Sequence, residues 1–305
     1  MSAEVVEDTW DGKVYWLKAK IVSNPQDVIK SIDSLRKDRQ KVKELEELRK
    51  RSEALLQENE RLNKELKLAK SATKQETVLA YKQNIKNLSA IEWFERGLEL
   101  LISGNGTDAV KAFSKAIELN PQLVAAYFDR GVAYAMLGNY QQAIKDSNKT
   151  IELNPQDATN YVGRGVAYAM LGNYQQAIKD FNKAIELNVH DATAYYNRGI
   201  SYGKINNYQR AIEDYNKTIE FDPQNALAYK NRGSAYGKLF NFEKAINDFN
   251  KAIEINPHDA SAYKNRGIVN GMLGNYQQVI EDYKIAARLG DKKTQDILRS
   301  QGIEW

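Results

Sequence analysis

The side chains best suited to proton transfer or metal binding are two histidines, His190 and His258, each followed directly by an aspartate. An imidazole beside a carboxylate can act as a general base or hold a metal ion. Both histidines, however, stand in short polar segments between predicted helices, where such residues form turns. The chain has no cysteine, and its sequence contains no nucleophile elbow, phosphate-binding loop or cluster of metal ligands. We therefore expect no catalytic residue, no metal ion and no cofactor, and we predict that the protein is not an enzyme.

Clustered positive charge could bind a polyanion instead. The net charge is +4, and residues 1–89 carry all of it, with 19 Lys and Arg against 15 Asp and Glu. A basic run from Arg36 to Lys43 precedes a leucine-rich stretch, as in DNA-reading basic zippers, but Asp33 and Asp38 break it up. This excess is too small for nucleic-acid binding, so we expect no nucleic-acid partner. No apolar run predicts a membrane span.

The elements that would position any site recur every 34 residues. Glycine marks the period at Gly97, Gly131, Gly165, Gly199, Gly233 and Gly267. This period is typical of a helix–turn–helix unit, and six such units in a row form an α-solenoid. In the unit that starts at Val124 we predict helices over about 125–137 and 140–153. Gly138-Asn139 supplies the left-handed turn between them, and Pro155 ends the second helix.

An arginine precedes every marker glycine, and five units carry an aspartate in the second helix, as Arg130 and Asp146 illustrate. We expect a ladder of exposed structural ion pairs, each worth at most about 1 kcal/mol, and not a ligand site. The segments Arg130–Asp146 and Arg164–Asp180 are identical, which indicates a duplicated repeat.

The pattern within each unit resembles the tetratricopeptide repeat. A bulky aromatic residue opens the units at Trp93, Tyr127, Tyr161, Tyr195, Tyr229 and Tyr263. The second helices carry a small residue at Ala109, Ala143, Ala177, Ala211 and Ala245, with Val279 as a departure. An aromatic residue follows at Phe113, Phe181, Tyr215, Phe249 and Tyr283, with Ser147 as a departure. The resemblance implies an all-α fold, a right-handed superhelical α-solenoid of six helix pairs. It also implies a concave groove, lined by the first helices, that binds a protein or peptide partner.

Carried over to this chain, the resemblance makes the first helices the source of the candidate binding residues. In the first three units these residues are apolar: Phe94, Leu98, Phe128, Val132, Met136, Val162, Val166 and Met170. In the last three units they are amides and lysines: Asn197, Lys204, Lys230, Asn231, Lys238, Lys264 and Asn265. The second set resembles the carboxylate-gripping surface of chaperone-binding family members, although Ile200, Ser234 and Ile268 replace its second asparagine.

Three interpretations of this groove are open, and one is that the long helix of a neighbouring subunit occupies it. A peptide could place apolar side chains on the first set and acidic groups on the second. Alternatively, the apolar residues pack between repeats and the lysines face solvent.

Residues 1–22 are predicted to form a β-hairpin with its turn at Asp11-Gly12. A lone hairpin is marginally stable, so it either ends a truncated upstream domain, which we favour, or pairs with another subunit. A hairpin that runs into a helix resembles the last strands of small α/β domains in bacterial cell-envelope proteins. That resemblance implies a bacterial, periplasmic protein, with the cytoplasm as the alternative.

Residues 23–88 are predicted to form a long helix, because neither glycine nor proline occurs from Gln26 to Arg96. A heptad seam runs through its core positions Leu45, Leu48, Leu55, Asn59, Leu62 and Leu66. The seam predicts a homo-oligomeric coiled coil through residues 25–70, and packing of this stripe on the chain's own solenoid is the alternative. A capping box at Ser89 predicts a break or bend in the helix before the six repeats of residues 89–289. Residues 290–305 are predicted to form a capping helix, Lys292–Ser300, and a tail.

These features together predict a non-catalytic interaction scaffold or adaptor that oligomerises through the coiled coil and binds a partner in its groove. The alternative function is structural self-assembly into an oligomer or filament, in which repeat arrays and hairpin contact neighbouring subunits.

Overall fold

The computed structural model describes two strands, a few helical positions between residues 50 and 62, and the chain from Thr73 to Trp305. Strands β1 (Glu4–Trp10) and β2 (Tyr15–Lys20) pair antiparallel, with Trp10 opposite Tyr15. The predicted hairpin turn and most of the predicted long helix before Thr73 lie outside the described residues.

Thirteen helices make up the rest of the described chain. They are α1 (Thr73–Ile102), α2 (Gly106–Leu119), α3 (Val124–Met136), α4 (Tyr140–Leu153), α5 (Ala158–Met170), α6 (Tyr174–Leu187), α7 (Ala192–Lys204), α8 (Tyr208–Phe221), α9 (Ala226–Lys238), α10 (Phe242–Ile255), α11 (Ala260–Met272), α12 (Tyr276–Arg288) and α13 (Lys292–Ser300).

Consecutive helices pack as six pairs, from α1 with α2 to α11 with α12, and α13 packs on α12. The predicted helix-pair fold is confirmed, and helices α3 and α4 begin and end within a residue of their predicted bounds. The chain divides into two units. One comprises residues 36–189 and holds α1–α6; the other comprises residues 1–35 and 190–305 and holds the strands and α7–α13.

The turns within the pairs are built from left-handed residues and side-chain caps. Gly138 has φ 73°, as the predicted turn between α3 and α4 requires. Asn139 then caps α4, its side-chain oxygen accepting a hydrogen bond from the backbone N–H of Gln142. This cap satisfies one of the donors that every helix start leaves open. The short loops therefore fix where each second helix begins.

The core of residues 36–189 begins in the first helix pair. Phe94 and Leu98 of α1 and Phe113 of α2 are fully buried, and the ring centroids of the two phenylalanines are 5.6 Å apart. Leu123 and Ala126, at the start of the next pair, belong to the same cluster. Each pair thus adds apolar surface that only its neighbour can cover.

The marker glycines allow the two helices of a pair to approach closely. A Cβ atom on Gly165 would lie 2.6 Å from the Phe181 ring, which is a clash. Ser147 replaces that aromatic residue in the preceding pair, and there a Cβ on Gly131 would meet its nearest atoms at 3.5 Å. The glycine is therefore required by the ring on the second helix.

The unit that contains residues 190–305 has an equivalent core. Ala245 and Phe249 of α10 pack with Val269 of α11. At its end α13 spans the predicted residues, and Asp291 caps it by accepting a hydrogen bond from the backbone N–H of Thr294 at 2.8 Å. Leu298 is buried, so α13 covers apolar surface that the last pair would otherwise expose.

Of the break or bend predicted at Ser89, the break is absent. Helix α1 runs without interruption from Thr73 to Ile102 and passes through this residue. Serine is compatible with a helix interior, and no glycine or proline stands nearby to stop propagation. A capping box stabilises a helix start only where the preceding residues are not already helical.

Candidate functional site

The first helices of successive pairs share one face within each unit. Helix α1 contacts α3 and α3 contacts α5, and in the other unit α7 contacts α9 and α9 contacts α11. Among the described helices, no contact of similar extent joins successive second helices. Each unit is therefore narrower on the side of its first helices, where their projecting side chains converge.

In residues 73–189 this face carries accessible apolar side chains. Met136 and Met170, at equivalent positions in α3 and α5, are each 58% exposed. The Phe128 ring reaches from α3 towards α5, 3.9 Å from where a Cβ on Gly163 would lie. The partly or largely exposed members, which we call the apolar face, are Phe128, Val132, Met136, Val162, Val166 and Met170.

Two residues predicted for the groove do not lie on this face. Phe94 and Leu98 are fully buried in the core, where they pack with Phe113 of α2. Their burial places these two side chains inside the fold and not on the surface of a groove. Their role is stability, because a partner could reach them only after the helix pair had opened.

Two exposed apolar residues at the ends of the first helices were not predicted from the sequence. Leu137 and Leu171 are exposed in the same unit. Leu137 and Leu171 each directly precede a turn glycine. A helix end beside a tight turn projects from the fold, so an apolar residue there is a signal that could have identified them.

In residues 190–305 the predicted groove lysines Lys230 and Lys264 are paired within the chain. The Lys230 Nζ donates to Asp259 Oδ2 at 2.6 Å and to Ser261 Oγ at 2.9 Å. Lys264 makes the equivalent ion pair with Asp291. Only 17% of the Lys230 side chain is exposed. Both lysines therefore already hold a carboxylate, which lowers their capacity to bind one from a partner.

The paired aspartates are also helix caps, since Asp259 begins α11 and Asp291 begins α13. Burial alone would raise the pKa of Asp259, but the hydrogen bonds from Lys230 and Ser261 outweigh it and hold the pKa below its ordinary value. The pKa of Asp291 is likewise lowered, since hydrogen bonds from Lys264 and Thr294 outweigh desolvation. Lys230 thus joins α9 to the N-terminus of α11, and Lys264 joins α11 to the N-terminus of α13.

The predicted groove asparagines are engaged as well. Asn197 donates to the backbone carbonyl of Thr193 at 2.9 Å. Asn231 donates to the Tyr196 hydroxyl at 3.0 Å, and burial raises the pKa of that tyrosine to about 12. Asn265 lies 3.5 Å from Ser234 Oγ. Of the predicted polar set, Lys204 and Lys238 are the exposed members.

The predicted Arg–Asp ladder is present as five bidentate pairs. In one of them Arg164 Nε and Nη2 donate to Asp180 Oδ2 and Oδ1 at 2.8 and 2.7 Å. The expectation that these pairs are exposed is wrong, because the aspartates are buried and the arginines are largely covered. Each arginine also stacks on the tyrosine that opens its repeat, as Arg164 does on Tyr161 at 5.7 Å. The ladder joins the two helices in each of the last five pairs, and its carboxylates are already occupied by the arginines.

The two histidines make packing and turn contacts within the fold. The His190 ring packs against Phe221, with centroids 5.1 Å apart, and the backbone N–H of His258 donates to Asn256 Oδ1. Within the described residues, no group of three His, Cys, Asp or Glu side chains is placed to hold a metal ion.

Most of the predicted heptad seam, including Leu45, Leu48, Leu55, Asn59 and Leu66, lies outside the described residues. Leu62 is described, and its side chain is 7% exposed in a single chain. None of the described helices is both long enough and apolar enough to cross a bilayer.

Comparison with known families identifies the repeats. A model described as Tetratricopeptide repeat matches residues 124–157, 159–191, 192–225 and 226–259, and one described as TPR repeat matches residues 97–138. None of the curated proteins matches the chain.

Solved structures give the same fold. The crystal structure of MamA protein is 29% identical, with a TM-score of 0.51 over 57% of this chain and 94% of that one. YrrB, described as a TPR protein with an unusual peptide-binding site, is 25% identical, with a TM-score of 0.50 over 61% and 94%. The Pseudomonas aeruginosa pilF structure has a TM-score of 0.61 over 70% and 99%, but its 15% identity makes it evidence of fold alone.

Proposed function

Because the chain belongs to the tetratricopeptide repeat family, whose helix-pair arrays generally mediate protein–protein interaction, we propose that it is a non-catalytic scaffold. Its partner is a protein or peptide segment with apolar side chains, and the binding site is the apolar face of residues 73–189. The peptide-binding site named for YrrB supports this choice of ligand class.

The observation that carries the proposal is the exposure of Met136 and Met170 on a face shared by first helices. The core of each pair is complete without these side chains, which point away from it. Methionine is flexible and polarisable, and it suits surfaces that adapt to an apolar partner. A partner that covered both methionines would remove a contiguous apolar surface from water.

We do not extend the peptide site to Lys230 and Lys264. Their carboxylate partners are Asp259 and Asp291, and displacing either one would uncap a helix as well as break an ion pair. This cost weighs against an acidic ligand at those two lysines.

The test is affinity capture with the full chain and its variant Met136→Asp/Met170→Asp, followed by mass spectrometry. We expect the variant to lose a protein that the parent chain captures, with at least about tenfold weaker binding, because two apolar contacts become buried charges. The matched control is Gln141→Asp/Gln175→Asp, which places the same charges at exposed positions of the second helices. Equal capture by both variants would refute the proposed site.

The proposal includes homo-oligomerisation through the heptad seam of residues 25–70. Its support is the seven-residue spacing of Leu48, Leu55 and Leu62. Light scattering should give a multimeric mass for the full chain and a monomeric mass for Leu48→Glu/Leu55→Glu. A monomeric parent chain would contradict oligomerisation, and growth into large particles with concentration would favour the self-assembly alternative.

A further inference from the structure

One of the six turns between the paired helices carries a residue that the turn disfavours. The left-handed position is glycine at Gly104, Gly138, Gly172 and Gly274, with φ between 73° and 80°. Asn206 takes it at 61°, which asparagine tolerates. Phe240 takes it at 60°. A bulky residue is strained there, so the fold gives no reason to prefer phenylalanine.

Burial does not compensate this strain. The Phe240 side chain is 79% exposed, and its ring makes only an edge contact with Phe242, at a centroid distance of 6.1 Å. Leu239, directly before it, is also exposed. The turn between α9 and α10 therefore holds two apolar side chains out into solvent.

Positive charges lie at the helix ends beside this turn and the turn of the preceding repeat. Lys204 and Lys238 end α7 and α9, and Arg210 and Lys244 lie in the first turns of α8 and α10. The equivalent residues in three other repeats are uncharged: Met136 and Gln142, Met170 and Gln176, and Met272 and Gln278. The helix-pair fold therefore does not require these cations.

Two of these cations are held in place by aromatic rings. The Arg210 guanidinium lies 5.5 Å from the Tyr202 ring centroid, and Lys244 Nζ lies 5.5 Å from that of Tyr236. The first turn of α8 contains no acidic residue, and the first turn of α10 contains one, Glu243. We call the set Lys204, Arg210, Lys238, Leu239, Phe240 and Lys244 the basic edge.

We propose that the basic edge docks on an anionic lipid bilayer. The four cations lie against the lipid phosphates, and Phe240 and Leu239 enter the headgroup region. Charge complementarity selects an anionic surface, and apolar side chains flanked by lysines are the usual means of shallow insertion. Phe240 and Leu239 lie at the turn itself and are exposed, so their side chains can reach a flat surface.

The test is co-sedimentation of the full chain with vesicles of phosphatidylcholine, alone or with about 30% phosphatidylglycerol. We expect binding to the anionic vesicles only, and its loss in about 0.5 M NaCl, where charges are screened within a few ångströms. Binding to neither kind of vesicle at low salt would overturn the proposal, and so would equal binding to both.

The decisive variant is Phe240→Gly, which restores the residue that four other turns use. It should keep or raise the melting temperature and yet weaken vesicle binding several-fold. Lys204→Glu/Lys238→Glu should weaken it at least about tenfold. The control Lys145→Glu/Lys179→Glu makes the same charge change on exposed positions of second helices and should bind as the parent does.

Two further outcomes would contradict the proposal. An equal loss in the control variant would mean that net charge, and not the basic edge, causes binding. Capture of a random Glu/Phe copolymer in place of vesicles, with the same dependence on Phe240, would assign the edge to an acidic protein segment. Neither outcome involves Met136 or Met170, so the peptide site is tested separately.

Discussion

At the scale of single residues, two glycines in identical sequence segments differ in how closely the second helix packs against them. Gly131 and Gly165 stand in the same seventeen-residue segment, Arg130–Asp146 and Arg164–Asp180. The next residue differs, because Ser147 follows the first segment and Phe181 the second. The chain thus contains its own matched pair for measuring what a close helix crossing requires.

We expect Gly165→Ala to lower the free energy of unfolding by about 1–3 kcal/mol, because the new methyl group would clash with the Phe181 ring. Gly131→Ala should leave it unchanged or raise it by up to about 1 kcal/mol, because alanine favours the helix and meets only ordinary contacts. Urea unfolding of both variants measures the difference. Equal effects would show that the ring does not determine the need for glycine.

The Arg–Asp ladder yields a second prediction at this scale. Asp180→Asn removes the charge that accepts both hydrogen bonds from Arg164 and should cost about 1.5–3 kcal/mol of unfolding free energy. Lys183→Gln, which breaks an exposed ion pair with Glu186, should change little. Thermal unfolding followed by circular dichroism compares the two. A comparable small effect in both would mean that the buried pair contributes no more than a surface pair.

The sequence predicted which residues form the ladder but not how deeply they lie. Spacing shows that Arg164 and Asp180 come together, whereas burial depends on what the neighbouring tyrosine and the previous repeat cover. The same limit explains Phe94 and Leu98. A repeat pattern placed them on the first helix, but their accessibility depends on the packing of α1 against α2, which the pattern does not contain.

At the scale of elements, the connections between helices depend on charge as well as on apolar packing. Lys230 and Lys264 reach across to Asp259 and Asp291, so each lysine supports a helix cap that lies 27 to 29 residues later. These lysines are predicted as ligands for a partner's carboxylate when the first helix of each repeat is considered alone. The carboxylates that they bind come from the following loop.

These caps predict a pH dependence. The pKa of Asp259 is lower in the folded protein than its ordinary value, so its contribution to stability is present above about pH 3.9 and is lost as pH falls through the folded pKa. Asp259→Asn keeps the cap but not the ion pair, and we expect it to cost about 1.5–3 kcal/mol at neutral pH.

The measurement is urea unfolding of the parent and Asp259→Asn proteins between neutral pH and about pH 2.5. The gap between them should narrow towards the acid end, as the parent carboxyl takes up its proton. A gap that stays constant over this range would show that the ion pair with Lys230 does not stabilise the cap.

The predicted elements agree best where local chemistry determines them. The turn at Gly138, the helices α3 and α4, and the cap at Asp291 follow from residues within one turn of each boundary. The predicted break at Ser89 failed because a capping motif is only a preference, and the uninterrupted helical sequence on both sides of it is stronger.

At the scale of the whole molecule, stability should be a sum over repeats and their interfaces. Deletion of residues 147–180 joins Asp146 to Phe181 and removes one complete period. We expect this variant to remain helical and to unfold cooperatively, at a lower melting temperature than the parent because one interface is lost. Circular dichroism and calorimetry measure both properties.

The control deletes residues 147–163, half of a period, and so joins the middle of α4 directly to the middle of α5. It should lose cooperative unfolding. If the full-period deletion also failed to fold, the repeats would not be interchangeable, and the identity of the two segments would have no structural meaning.

The identical segments also bear on how this chain changes over generations. Recombination between two similar stretches of coding sequence adds or removes the length between them, which here is one complete repeat. The new joint would fall within the identical segment, so the turn that it contains and the loops between repeats would stay intact. The apolar face could therefore lengthen or shorten by one repeat in a single genetic event, so the size of the partner that it recognises can change without new folding information.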